Sequence, residues 1–407
     1  MRYRTSALAF CALGLCLGVL EACGDDTGVT SVPDSGTPDA MSDATVSDAG
    51  GDAHAEAATP EAGADASDGG RDAAGDATDG GGAGDAADAH VNDAGADASD
   101  GGGDATVTPS LPTFLTHFQR ALNQNPEGLW EIGDAGTPLV GLAPLAQLVT
   151  VSTDGGVATF GFIGDAGALN TDTLGITTDP AGNVYVGVGA TAPADAGIVP
   201  APGVYRFPVD GGAPTLFSSA PSMNFPNGLD FIGTTLFVAD SGGTVFAIDP
   251  SGTATIWSTD PLLQPNINAC DAGPPLSLGA NGIVHDSNNV YVTNTNYGRV
   301  VKFPMTADGG AGTPSTIVDD CTYAGADGIA LDTRDNTLIV AVNIQDKIVR
   351  LGVDGGATVI ASGSPLDAPA SLFIDTTSGG RRLLFTNASF FSPADAGQPG
   401  LLQLAIP

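Results

Sequence analysis

The sequence predicts an all-β fold, a six-bladed β-propeller of four-stranded antiparallel blades, and three observations lead to that prediction. First, about three quarters of the 407-residue chain repeats itself at a spacing of about fifty residues. Second, each repeat contains short β-branched runs separated by Gly and Asp turns, a pattern typical of strands and hairpins. Third, a repeat of this length matches one four-stranded blade, and six repeats fit into residues 108–407.

Each repeat opens with a motif in which a Gly, or Ser in the last copy, follows a variable residue. Successive Gly or Ser positions are 47, 53, 54, 46 and 43 residues apart. The openings near residues 126, 174, 226, 280, 326 and 369 read PEGLWEI, LGITTD, PNGLDF, ANGIVHD, ADGIALD and PASLFID. The last repeat stops after its third strand. We therefore expect LPTFLTHF, at 111–118, to supply the missing strand and close the ring.

The N-terminal residues predict export. Arg2 and Arg4 precede ALAFCALGLCLGVL, an apolar run of signal-peptide length that is too short to span a bilayer. LEAC at 20–23 resembles the lipobox of bacterial lipoproteins, so residues 1–22 are predicted to be a lipoprotein signal peptide and Cys23 the lipid acceptor. Glu21 is unusual in such a box, which leaves simple cleavage and a periplasmic or secreted protein as the alternative.

Residues 23–107 predict a disordered linker, because they are Asp, Ala, Gly, Ser and Thr with too few apolar side chains to offset ordering entropy. Residues 24–106 hold 20 acidic residues and one basic residue, Arg71, a net charge of −19 out of −35 for the chain. This acidity excludes nucleic-acid binding, because like charge repels phosphate. We expect membrane contact only through the lipid, and a monomer, since no oligomeric interface is evident.

The cysteines divide between the predicted signal peptide and the repeats. Cys11 and Cys16 belong to the signal, and only Cys270 and Cys321 lie in the repeat region. In an exported protein this pair predicts a disulfide. No CxxC motif or His cluster accompanies the pair, so a Cys-ligated metal site is not expected.

The variable residues of the six openings should meet at one mouth of the central channel, because the first strand of each blade lines that channel. In chain order they are Glu127, Leu174, Asn227, Asn281, Asp327 and Ala370. Asn-Gly and Asp-Gly are common turn pairs, which is an alternative explanation for three positions but not for Glu127. Two carboxylates and two amides suit one divalent cation, above all Ca²⁺, so we predict that Glu127, Asn227, Asn281 and Asp327 bind one.

These motifs resemble the gluconolactonase, regucalcin and luciferin-regenerating-enzyme group of six-bladed propellers, and more distantly the paraoxonases. The resemblance covers 112–407 and rests, in order, on PEGLW, FPNGLDF, LFVADSGGTVFAIDPSGTATIW, GANGIVHDSNNVYVTNTNYGRVVKF and GADGIALD. It implies that Glu127, Asn281 and Asp327 ligate a catalytic divalent metal, usually calcium, and that Asn227 ligates it or contacts substrate.

The resemblance also implies an activity, the hydrolysis of a lactone or ester. The metal polarises the carbonyl and a carboxylate activates water, with Asp327 the first candidate for the base and Glu127 the second. The His pair of paraoxonase-like enzymes is not expected, because His285 occupies a packing position in its strand. Propellers also serve as inert platforms, so the alternative is a non-catalytic, surface-tethered propeller that binds a small ligand or a protein.

A second set of polar residues follows the second strands and should return to the same mouth. Substrate contact and an ordinary loop role are both open for its members, which are Asp240, Ser241, Asn294, Asn343 and Asn387.

Overall fold

The structure is a computed structural model that describes residues 111–164, 171–190, 200–209, 212–270, 276–377, 381–393 and 395–406. The predicted signal peptide, the lipid acceptor Cys23 and the linker 23–107 lie outside these residues. The described residues form 24 β-strands in six four-stranded antiparallel sheets, so the predicted six-bladed β-propeller is confirmed. None of the helices within them is long and apolar enough to cross a membrane.

The strands follow one another blade by blade. The chain begins with β1 (Thr113–His117). Blade 1 contains β2 (Pro126–Ile132), β3 (Thr137–Leu142), β4 (Gln147–Val151) and β5 (Val157–Phe162). Blade 2 contains β6 (Thr171–Thr178), β7 (Val184–Ala190), β8 (Gly203–Phe207) and β9 (Thr215–Ser218). Blade 3 contains β10 (Pro226–Ile232), β11 (Thr235–Asp240), β12 (Thr244–Ile248) and β13 (Ala254–Ser258).

The second half continues in the same way. Blade 4 contains β14 (Ala280–His285), β15 (Asn289–Asn294), β16 (Arg299–Pro304) and β17 (Ser315–Asp319). Blade 5 contains β18 (Ala326–Asp332), β19 (Thr337–Val342), β20 (Lys347–Gly352) and β21 (Ala357–Ser362). Blade 6 contains β22 (Pro369–Asp375), β23 (Arg382–Asn387) and β24 (Gly400–Ala405). Short 3₁₀ helices span Arg120–Leu122, Ala143–Leu145, Pro261–Leu263, Cys321–Tyr323 and Asn343–Gln345.

The sixth blade takes its outermost strand from the other end of the repeat region. β1, the strand expected to close the ring, pairs antiparallel with β24, with Phe114 opposite Leu402 and His117 opposite Gly400. Phe118, just after β1, is buried with Leu401 in the core between blades 6 and 1. The two ends of the propeller are therefore held together by a shared sheet and a shared core.

Glycines near the starts of the innermost strands allow neighbouring blades to approach closely. The first strands of adjacent blades contact one another in a closed ring, β2 to β6, β10, β14, β18, β22 and back to β2. A Cβ atom on Gly282 would lie 2.4 Å from the Asp327 carbonyl oxygen of the next blade. Gly282 and Gly328 lie within strands and have no positive φ. Close packing, and not turn formation, therefore accounts for the Asn-Gly and Asp-Gly pairs.

Threonine hydroxyls on second strands donate hydrogen bonds to the innermost strand of the next blade. The Thr293 hydroxyl of blade 4 donates to the Asp327 carbonyl of blade 5 at 2.7 Å. The Thr386 hydroxyl of blade 6 donates to the Glu127 carbonyl of blade 1 at 2.9 Å. These bonds fix the backbone of two residues whose side chains face the channel mouth.

Candidate metal centre

The starts of the innermost strands surround a cavity of about 350 Å³, which includes its solvent-open part. Its polar wall consists of Glu127, Asp172, Asn227, Asn281, Asp327 and Asn343. Its apolar wall consists of Leu174, Phe225, Leu276, Leu278, Phe390 and Phe391. The structure thus brings together all four residues that the sequence nominated as metal ligands, along with one of the expected substrate contacts, Asn343.

Two carboxylates of this cavity are buried in an environment that penalises their charge. Glu127 and Asp327 are 5% and 3% exposed. Burial raises the pKa of Glu127 well above its usual range, and the charges of Asp327 and Asp172 raise it further. Burial also raises the pKa of Asp327 to about 7, although hydrogen bonds from the Asn343 and Asn281 amides oppose the shift. A cation between the carboxylates would favour their ionised forms and relieve this cost.

The orientation of the Asn281 amide follows from a chain of hydrogen bonds. The Thr295 hydroxyl donates its single proton to the Ala326 carbonyl at 3.0 Å. It therefore accepts from the Asn281 amide nitrogen, Nδ2, at 2.8 Å. The amide oxygen, Oδ1, is left on the other side and has no hydrogen-bond partner. The fold thus directs a neutral oxygen of a cavity-lining residue away from its own hydrogen-bonding network.

The flanking blades show the same arrangement. In each, the residue that follows the second strand is hydrogen-bonded to the variable residue of the blade opening. Asn227 donates through Nδ2 to the Ser241 hydroxyl at 3.5 Å in blade 3. In blade 5, Asn343 donates through Nδ2 to Asp327 Oδ2 at 2.7 Å. Ser241 does not line the cavity itself. It contacts Asn227, which does, and is therefore a positioning residue.

The side-chain oxygens of the cavity wall suit a hard divalent cation. Buried oxygens without a hydrogen-bond partner include Glu127 Oε2, Asn281 Oδ1 and Asn343 Oδ1, all on residues of the cavity wall. An unpaired buried oxygen costs about 1–3 kcal/mol, and coordination to a cation would remove that cost. No three His, Cys, Asp or Glu side chains in the described ranges are grouped closely enough to hold a metal. A metal here would therefore need amide oxygens as well as carboxylates.

Three of the residues expected to contact substrate make hydrogen bonds to the backbone of neighbouring loops. Asp240 accepts from the backbone amides of Asn224 and Phe225 at 2.9 and 2.8 Å. Asn294 donates to the Leu262 carbonyl at 3.0 Å. In blade 6, Asn387 donates to the carbonyl of Pro365 at 2.7 Å. Each of the three thus ties down the loop that precedes its own blade opening, and none lines the cavity. These bonds give the three residues a structural role, and their contact with substrate stays a prediction.

Asp172 is a cavity residue that the sequence analysis did not single out. It lies two residues before Leu174 on β6, and side chains two apart on a strand share a face. Burial raises its pKa to about 7. The available signal was NTDTLGITTD, in which this Asp precedes the blade opening. The opening was aligned on its Gly, which put Leu174 at the variable position.

Three further residues considered from the sequence, Cys270, Cys321 and His285, lie outside the cavity wall. Cys270 and Cys321 are joined by a disulfide, which links the loop before the blade 4 opening to the loop before the blade 5 opening. His285 bonds through Nδ1 to Asp230 Oδ2 at 2.6 Å, across the boundary between blades 4 and 3. His285 is thus part of an inter-blade pair and does not face the candidate metal centre.

No protein-family model and no curated protein sequence matches the chain. Solved structures do match it. A gluconolactonase from Xanthomonas campestris is 15% identical, with a TM-score of 0.51, over 73% of this chain and 89% of that one. A calcium-binding protein, regucalcin, from Agrobacterium tumefaciens is 17% identical, with a TM-score of 0.51, over 72% and 94%. A putative gluconolactonase gives 14% identity and a TM-score of 0.53, over 72% and 91%. At these identities the likeness establishes a shared propeller fold.

Proposed function

We propose that the cavity binds one divalent cation, Ca²⁺, and that the protein hydrolyses a lactone or ester there. The observation that carries the proposal is the pair of unpartnered buried oxygens on Glu127 and Asn281, in the same cavity as the carboxylate of Asp327. Carboxylate and amide oxygens are the ligands that Ca²⁺ prefers. A regucalcin and two gluconolactonases share the fold, which adds support for both the metal and the reaction class.

Five of the six polar residues of the cavity wall, all except Asp172, have a role in this proposal. Glu127, Asn227, Asn281 and Asp327 supply the ligands, and Ser241, Thr295 and Asn343 orient three of them. The bound ion would supply Lewis acidity to the carbonyl group of the substrate. Asn343 holds Oδ2 of Asp327 at 2.7 Å, which leaves its other carboxylate oxygen for a water molecule or the metal.

Asp327 is the general base of the proposed reaction, because its carboxylate lines the cavity beside the proposed metal ligands and Asn343 holds one of its two oxygens in place. It takes a proton from water while the water oxygen bonds to the carbonyl carbon. The ester C–O bond then breaks, and the proton passes from Asp327 to the departing alkoxide. The carboxylate is thereby regenerated, and the products are a hydroxy acid from a lactone, or an acid and an alcohol from an ester.

The proposal is tested with a panel of lactones and aryl esters, assayed with Ca²⁺ and with a chelator. We expect turnover that the chelator abolishes, and a fall of at least about a hundredfold in Asp327→Ala, the size typical for loss of a catalytic base. Calorimetric Ca²⁺ binding is measured on the same samples. Ca²⁺ binding without turnover of any substrate would reject the hydrolase and favour the alternative, a non-catalytic binding propeller.

We also propose that the protein is exported and anchored through a lipid on Cys23. The support is the Arg-led apolar segment at the N-terminus, together with the Cys270–Cys321 bridge, because disulfides persist in oxidising compartments. Expression in a bacterial host with a labelled fatty acid should label the wild-type chain and not Cys23→Ser. A processed chain that carries no label would contradict the anchor and favour the secreted alternative.

A further inference from the structure

Asp172 is the cavity carboxylate that the proposed metal set does not use. It lies on the wall of the same cavity as Glu127 and Asp327. Asp172 is partly buried, and within the described part of the chain its carboxylate has no hydrogen bond and no ion pair, while its charge acts on Glu127. An ionised carboxylate in such a place is costly unless a positive or hydrogen-bonding partner meets it. The residues that the structure describes supply no such partner.

The charge of the cavity remains unbalanced after a divalent cation is bound. When all three are ionised, Glu127, Asp172 and Asp327 together carry three negative charges, and no described residue of the wall is Lys, Arg or His. One Ca²⁺ compensates two of the three charges. Arg120 donates to the carbonyl of the wall residue Phe390 at 3.1 Å. It does not balance the charge of the cavity, because the carboxylate with which it interacts is Asp367, outside the cavity wall. One negative charge is therefore left for a ligand to neutralise.

The rest of the wall favours an organic cation over a second metal ion. Phe225, Phe390 and Phe391 line the cavity, and the rings of the latter two lie 6.3 Å apart between centroids at 65°. Aromatic faces attract ammonium groups and offer no oxygen to a metal. A carboxylate beside several phenyl rings is a combination that recognises an amine.

We propose that the cavity takes a ligand with an ammonium group, which Asp172 pairs with and the phenylalanine wall surrounds, beside the divalent cation. The inference rests on the proposed function for that cation. It narrows the substrate class to esters or lactones that carry an amine, and it gives Asp172 the role of a specificity-determining residue.

The test uses two probes of the same size, benzylammonium and benzyl alcohol, which differ in charge. Each is titrated calorimetrically at pH 8, in saturating Ca²⁺, into the wild type, Asp172→Asn and Asp134→Asn. Asp134 is exposed in the turn between β2 and β3, so its variant is the control for loss of one negative charge. We expect the wild type and the control to bind benzylammonium at least about tenfold more tightly than the alcohol, and Asp172→Asn to lose this preference.

Equal binding of the two probes by the wild type would overturn the inference, and this comparison does not depend on any variant folding. A second Ca²⁺ per chain that disappears in Asp172→Asn would also overturn it, because Asp172 would then be a metal ligand. Ca²⁺ titrations without probe separate the two proposals. A protein that binds Ca²⁺ without preferring the amine rejects this inference alone, whereas amine preference without Ca²⁺ binding rejects the metal-dependent hydrolase alone.

Discussion

The Thr295 hydroxyl lies 2.8 Å from Asn281 Nδ2 and fixes the orientation of that amide. Its proton is committed to the Ala326 carbonyl, so it can only accept from Asn281. The consequence is that Thr295 holds the Asn281 amide nitrogen, and the unpartnered amide oxygen is available to the candidate metal. A threonine that lines no part of the cavity thus determines the chemistry of a residue that does.

Thr295→Val should weaken Ca²⁺ binding by about tenfold or more, because valine keeps the shape but leaves the Asn281 amide free to turn its NH₂ group inward. Calorimetric titration with Ca²⁺ measures the effect. Thr178→Val is the matched control, since it removes a hydroxyl that accepts from Trp130 Nε1 at 3.1 Å, outside the cavity. Equal Ca²⁺ affinities of the two variants would show that Thr295 does not orient a ligand.

Ca²⁺ affinity should fall steeply as the pH is lowered from 8 to 6. Burial raises the pKa of the ligand Asp327 to about 7 and that of the ligand Glu127 well above its usual range. Raised pKa values mean that protons compete with the cation already near neutral pH, so binding releases protons and each protonated ligand costs affinity. Titrations in two buffers of different ionisation enthalpy count the released protons. An affinity that is constant over this range would contradict the carboxylate ligand set.

The sequence was sufficient for the fold and for four cavity residues, and the reason is periodicity. Glu127, Asn227, Asn281 and Asp327 occupy the same position of a repeated motif, and a propeller brings such positions to one place. The second set of residues could not be sorted in this way. Asn294 and Thr295 are adjacent in the chain, and adjacent side chains of a strand point to opposite faces. Asn294 therefore bonds to the preceding loop, whereas Thr295 bonds to Asn281.

The remaining cavity residues depend on features that do not repeat. Asp172 belongs to the blade whose opening carries Leu174, so motif alignment passed over it. Phe390 and Leu276 come from connecting loops of their own length and sequence, and only the folded chain brings them to the cavity. The role of Thr295 depends on the Ala326 carbonyl of the neighbouring blade, a contact that no local pattern encodes.

Gly282→Ala should destabilise the protein strongly, by about 3 kcal/mol or more, at the upper end of what overpacking costs. A methyl group there would lie 2.4 Å from the Asp327 carbonyl oxygen and 3.0 Å from the Ile329 amide nitrogen, both backbone atoms of the next blade. Urea denaturation measures the loss. Gly356→Ala is the control, because its nearest contact would be the Asp354 side chain at 3.4 Å and its φ is not positive. Similar stabilities of the two variants would contradict the close packing of the innermost strands.

The His285–Asp230 pair should make stability fall as the pH rises through neutrality. The hydrogen bond to Asp230 raises the pKa of His285 despite partial burial. A raised pKa means that the folded state holds the proton more tightly, so the contribution is full below the unfolded value of about 6.5 and is lost above the folded value. The His285 side chain is 32% exposed, so we expect only about 0.5–1 kcal/mol.

His285→Gln tests this contribution through the difference in urea stability between variant and wild type at pH 6 and pH 8.5. The difference is the readout because Asp172 and Asp327, whose pKa values are raised to about 7, change stability over the same range in both proteins. The variant should be less stable than the wild type at pH 6 by more than it is at pH 8.5. A difference that does not vary with pH would reject a protonated His285 in the folded protein.

Removal of the closing strand should cost more than any of these substitutions. A chain that begins at residue 123 lacks β1 and Phe118, so β24 becomes an unpaired edge and the core around Leu401 opens to water. We expect a melting temperature lower by well over 10 °C, or a chain that does not fold. A chain that begins at residue 108 keeps the strand and is the control, with a melting temperature close to that of the full chain. Equal melting of the two truncated chains would show that the ring does not depend on the strand shared between its ends.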